Sequence, residues 1–93
     1  MDARIEAVPL PRRERELPRW EIRHEGRVIG RVVQKRIGRA RSMFYQAYVT
    51  VEGVEIDLEA STDLDERCDK VLQAWLDPRS TPQSRYWLGL SAP

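Results

Sequence analysis

The sequence predicts an α+β fold, an antiparallel meander of three to four strands packed on one C-terminal amphipathic helix. Three observations carry that prediction. Apolar residues recur at every second position in two hairpin-like stretches, they recur at the helical period between Asp63 and Leu76, and no proline interrupts the chain between Arg19 and Asp77. Proline breaks helices and sheet ladders alike, so the folded unit is read as residues 20–77. A domain of that size buries only about 60% of its unfolded surface, so its flanks or a partner are expected to add cover.

Residues 1–19 read as a flexible charged arm, because Pro9, Pro11 and Pro18 bracket a run rich in Arg and Glu. The first hairpin is read as Trp20–Arg23, a three-residue turn His24-Glu25-Gly26, and then Arg27–Arg36. That turn pairs Ile22 with Val28 and points Trp20, Ile22, Val28, Gly30 and Val32 inward. Arg27, Arg31 and Lys35 then face outward with Ile29 and Val33. The second hairpin joins Tyr45–Val51 to Val54–Ala60 through Glu52-Gly53. It pairs Val51 with Val54, Val49 with Ile56 and Ala47 with Leu58, and it leaves Tyr48, Asp57 and Glu59 on the other face. A slip by one residue would send the apolar set into water, so the register is strongly specified.

The helix spans about Asp63 to Leu76, with Leu64, Cys68, Val71, Leu72, Trp75 and Leu76 on one stripe. Ser61 or Thr62 caps its start, Asp63, Asp65 and Glu66 favour the positive end of its dipole, and Asp77-Pro78 ends it. On this reading Trp75 stands near the centre of the core. Residues 78–93 form a tail whose segment 86–90 gathers Tyr86, Trp87, Leu88 and Leu90. Side chains that large are expected to dock rather than stay in water.

Composition bounds the setting. One cysteine, Cys68, permits no internal disulfide, no apolar run reaches membrane length, and the start lacks a signal-peptide core, so a cytoplasmic protein is expected. The chain uses 14 Arg against 2 Lys and has no Asn, which suits a GC-rich bacterial or phage coding genome. The net charge of +1 hides an asymmetry. Residues 1–41 hold 12 cations and 6 acids, a net of +6, while residues 42–93 hold 4 and 9, a net of −5. Such blocks either neutralise each other within the fold or form a footprint for a charged partner.

The search for chemistry yields little. His24 reads as a surface turn residue with no serine nucleophile motif to serve, and Cys68 reads as part of the helix's apolar stripe. Glu55, Asp57 and Glu59 alternate along one strand without the glycine-bearing loop that calcium sites use, so cross-strand pairing with Arg and Lys is the expected role. No phosphate-binding glycine loop occurs. The reading is therefore a non-catalytic module with no cofactor and no metal. Its first expected partner is another protein or a second copy, met through Tyr86, Trp87, Leu88, Leu90 and the bipolar charge.

Nucleic acid is the alternative partner. Arg27, Arg31, Lys35, Arg36, Arg39 and Arg41 form an acid-free basic stretch followed by Phe44, Tyr45 and Tyr48. Guanidinium forks match phosphates, and aromatic rings stack on bases. With Trp20, the Phe44-Tyr45-x-Ala47 strand and the Thr62–Leu76 helix, residues 20–76 resemble the sheet-plus-helix DNA-binding domains of tyrosine-integrase amino termini and plant ethylene-response factors. The resemblance implies that the sheet face opposite the helix reads DNA, with Tyr48 and the outward cations on it. The chain departs from that pattern at Glu55, Asp57 and Glu59, which place carboxylates where phosphates would come.

Overall fold

A computed structural model describes residues 1–36 and 43–78 of the chain. Among them, strands β1 (Ile5–Pro9), β2 (Arg19–His24), β3 (Arg27–Arg36), β4 (Met43–Val51) and β5 (Val54–Ser61) are followed by helix α1 (Leu64–Leu76). The strands form one antiparallel sheet in chain order, and the helix lies against one face, chiefly over β4 and β3. This is the predicted α+β meander with one more strand.

The extra strand corrects the expectation of a flexible arm over residues 1–19. Residues 5–9 pair with β2, Ile5 against His24 through Pro9 against Trp20, and Ile5 is buried in the core. Two prolines and a short alternation hid it. Pro9 is the last residue of an edge strand, where a missing N–H costs no inner ladder bond. The loop that follows is strapped to the sheet at its two ends, Leu10 N–H to the Arg19 carbonyl and Gln34 N–H to the Pro18 carbonyl, both at 3.0 Å.

Both hairpins turn on a Glu-Gly pair. Glu25 and Gly26 have φ of 53° and 75°, and Glu52 and Gly53 have 51° and 78°. Positive φ at both central residues is the two-residue turn whose twist matches the strands. For β4–β5 this gives the expected Val51–Val54 and Val49–Ile56 pairs. For β2–β3 it corrects the three-residue turn: His24 faces Arg27, Arg23 faces Val28, and the register then shifts so that Ile22 faces Gly30. Ile29 is the extra residue of the bulge. It is fully buried in the core, while Val28 is 47% exposed. Arg27 is accordingly not on the outer face but reaches the helix side, its guanidinium 4.9 Å from the Trp75 ring centroid.

A second bulge lies in β5. Tyr48 faces Asp57 but Gln46 faces Ala60, so Ala47 meets Leu58 and Glu59 rather than Leu58 alone. Glu59 carries φ of 69°, and its N–H is held by Asp57 Oδ1 at 2.7 Å. Ala60 thereby takes the outer-face place that the alternation assigns to Glu59.

Asp63, not Ser61 or Thr62, caps the helix by accepting from the Glu66 N–H at 3.1 Å. Ser61 instead accepts from the Asp63 N–H and donates to the Glu66 carboxylate at 2.8 Å. Asp77 ends the helix as predicted, its N–H on the Gln73 carbonyl. Cys68, Val71 and Leu72 of the predicted stripe are buried, with Ala74 and Arg67 added. Trp75 is only half-buried, which corrects its central placement, and Leu76 is exposed. The centre is Ile22, Ile29, Val32, Val49, Val71 and Leu72. Gly30 lets the helix come close, since a Cβ there would strike the Tyr48 carbonyl oxygen and come within 2.7 Å of Val71 Cγ1.

Candidate functional site

The helix covers one face of the sheet, and among the described residues no other element packs on the opposite, open face. Alternation along each strand then decides which side chains the open face carries. With Gly30, Val32, Ala47, Val49, Ile56 and Leu58 turned to the helix, the open face receives Arg31, Val33 and Lys35 from β3. It also receives Phe44, Gln46, Tyr48 and Thr50 from β4, and Glu55 and Asp57 from β5.

These side chains are already bonded to one another. Arg31 forks onto Glu55, Nε to Oε2 at 2.9 Å and Nη2 to Oε1 at 2.8 Å. Its guanidinium lies over the Tyr48 ring, 4.3 Å from the centroid. Lys35 approaches the same ring at 5.8 Å and donates to the Tyr48 hydroxyl at 3.2 Å. The hydrogen bond from Arg31 holds the Glu55 carboxyl below its ordinary range, and the Glu55 carboxylate raises Arg31 in turn. Gln46 donates to Asp57. Val33, paired with Gln46, is buried yet stands outside the helix-side core, which makes it a small apolar centre for the open face. On β2, Arg23 reaches Glu21 at 2.6 Å.

Of the residues singled out from sequence, Arg31, Lys35 and Tyr48 come together here. Arg36 is exposed at the end of β3, and Arg27 is on the helix side. Arg39, Arg41, Tyr86, Trp87, Leu88 and Leu90 lie outside the described residues. Cross-strand pairing was the expected role of the β5 acids, and Glu55 fulfils it. Val33 stands on the outer face as expected, and Phe44, named with the basic stretch, joins it there. Gln46 was missed as a member of this surface; its alternation with Ala47 and Val49 was the available signal.

Among the described residues little else resembles a reactive centre. His24 donates from Nδ1 to the Arg4 carbonyl at 3.1 Å. Burial pushes the Cys68 thiol up to about 11, which keeps it protonated and unreactive. Among the described residues no group of three His, Cys, Asp or Glu side chains converges to hold a metal ion. No described helix is long and apolar enough to cross a membrane.

Fold and surface define a small α+β sheet-and-helix domain with one open, charge-patterned face. No family model, no curated protein and no solved structure matches the chain. Of the resemblance noted from sequence the structure shows the architecture only, an antiparallel sheet followed by a C-terminal helix.

Proposed function

We propose that this chain is a small non-catalytic binding module that meets a protein surface through the open face of its sheet, and that a second copy of the chain supplies that surface. The observation that carries the reading is the Arg31–Tyr48–Glu55 arrangement. Arg31 is stacked on Tyr48 and bonded twice to Glu55, so an aromatic side chain is held in place by charges before any partner arrives. Tyrosine and arginine are the residues most enriched where protein interfaces derive their affinity, and pre-ordering removes part of the entropy cost of binding.

The charge pattern favours self-pairing. β3 presents Arg31 and Lys35, β5 presents Glu55 and Asp57, and β4 with Tyr48 runs between them. A twofold axis along β4 sets each β3 against the second copy's β5, cation against carboxylate, with tyrosine near tyrosine on the axis. Sheets pack face to face in this aligned manner about 10 Å apart, and isologous pairing of one patch with itself is the commonest oligomer geometry. A polyanion laid on the same face would meet Glu55 and Asp57. The segment with Tyr86, Trp87, Leu88 and Leu90 is proposed as a second apolar contact. The single buried thiol suits a cytoplasmic setting.

Sedimentation equilibrium on the full chain tests this. Wild type is expected to form dimers in the micromolar range and Tyr48→Ala to shift the equilibrium to monomer without lowering the melting temperature appreciably. A wild type that stays monomeric at millimolar concentration refutes self-pairing.

A further inference from the structure

We infer that one end of the sheet, where the β1–β2 loop runs beside the end of β3, binds the phosphodiester backbone of a nucleic acid. The surface adjoins the Tyr48 face at Lys35, which donates to the Tyr48 hydroxyl, but its arginines lie off that face and the inference does not rest on self-association.

Apart from Lys70 on the helix, whose charge acts on Glu66, the cations among the described residues are of two kinds. Five are committed to carboxylates: Arg4 to Asp2, Arg19 to Glu16, Arg23 to Glu21, Arg31 to Glu55 and Arg67 to Glu66. Arg27 lies over Trp75. The remainder gather at one place. Arg12, Arg13 and Arg15 in the β1–β2 loop and Lys35 and Arg36 on β3 are all exposed, and among the described residues none of them pairs with a carboxylate.

The fold unites these two groups, which the sequence separates. The Gln34 N–H on the Pro18 carbonyl and the Leu10 N–H on the Arg19 carbonyl fasten the loop to the end of the sheet at which Lys35 and Arg36 stand. The loop itself closes through the Glu16 N–H on the Arg13 carbonyl at 3.1 Å and a left-handed residue, Arg15, with φ of 76°. It curls around an open hollow lined by Arg12, Arg13, Glu14, Arg15, Glu16 and Leu17. Glu16 is occupied by Arg19, which leaves Glu14 as the one carboxylate of the loop without an ion pair.

Five uncompensated cations at one end of a chain of near-neutral charge raise the local potential and repel one another, and an anion there relieves both. Guanidinium forks suit phosphate oxygens, and several such groups in a row suit a repeating phosphodiester rather than a single small anion. Phe44, opposite Lys35 on β4, adds a ring beside the cations. Contacts of this kind position without reading sequence, so binding is expected to be sequence-independent.

The test is fluorescence anisotropy of the full chain with a labelled duplex, a labelled single strand and, as a non-phosphate polyanion, labelled poly-glutamate. Binding to nucleic acid at micromolar protein in about 50 mM salt is expected, with log affinity falling against log salt at a slope of about −3 to −4.5 on duplex. The duplex and single-strand arms tell which form of the backbone is preferred. Alanine at Arg12, Arg13 and Arg15 together should reduce that slope by about 2.7, and Lys35→Glu with Arg36→Glu should weaken binding at least tenfold. Arg4→Ala with Arg27→Ala, at the opposite end, should leave it unchanged. Melting temperatures of all variants keep folding defects apart from binding defects. No binding by wild type, binding lost in the Arg4 and Arg27 variant but kept in the loop variant, or equal binding to poly-glutamate would each overturn the assignment, the last in favour of an acidic protein.

Discussion

Arg67 on the helix donates from Nη1 to the carbonyl oxygen of Leu58 at 2.6 Å, and so ties α1 to the bulge of β5. The same nitrogen reaches the Glu59 carbonyl at 3.2 Å, and the rest of the guanidinium is paired with Glu66. A bulge leaves backbone groups outside the ladder, and a buried group without a partner is expensive. Arg67, only 8% exposed, supplies that partner.

Replacing Arg67 by methionine keeps the stem and removes the donors. The loss is expected to be about 1.5–3 kcal/mol, the range for hydrogen bonds to charged groups. Arg67→Lys should recover only part, because one ammonium cannot serve the carbonyls and the carboxylate in the same fork. Urea unfolding midpoints measure this. An unchanged midpoint for Arg67→Met would mean that the bulge does not need the clasp.

The two Glu-Gly turns offer stabilising changes. Glu25 and Glu52 adopt positive φ, which costs most residues about 1–2 kcal/mol and asparagine less. Glu25→Asn and Glu52→Asn are each expected to add roughly 0.5–1 kcal/mol, additively, since they sit on different hairpins. Thermal melts of the single and double variants check both size and additivity.

Acid sensitivity follows from the carboxylates. The Arg67 hydrogen bond, with help from Ser61, holds Glu66 below its ordinary value of 4.5, and Arg31 does the same for Glu55. Folded values below unfolded ones mean that the contribution is full above 4.5 and is lost as pH falls through the lower folded values. Glu55→Gln with Glu66→Gln should therefore melt lower than wild type at neutral pH and show a flatter acid limb below about pH 4.5. Melting temperatures recorded from pH 7 to pH 3 decide it, and parallel curves for the two proteins would contradict it.

The parts legible in the sequence were those governed by one uninterrupted period. The β4–β5 turn, the Val49–Ile56 pair and the Cys68-Val71-Leu72 stripe follow directly from alternation and helical spacing. Elsewhere a local irregularity defeated the period. The extra residue at Ile29 exchanged the exposures expected of Val28 and Ile29 and carried Arg27 to the helix side. Trp75 has the right spacing for the core, but the helix centres on Val71 and Leu72, which leaves the last turn half covered. Leu72→Ala is thus expected to cost about 2–5 kcal/mol, and Trp75→Ala less. The Arg31–Tyr48–Glu55 surface needed two hairpin registers at once, and the basic sheet end needed the strap between Pro18 and Gln34. Neither relation is encoded in any local window.

The most direct test of the open-face account is a concentration series of amide NMR spectra on the full chain. Self-pairing predicts shifts at Arg31, Val33, Lys35, Gln46, Tyr48 and Glu55 that grow together with concentration and saturate, with the helix amides unmoved and Tyr48→Ala abolishing the change. Spectra that do not vary with concentration, or shifts confined to α1 or β1, would contradict it.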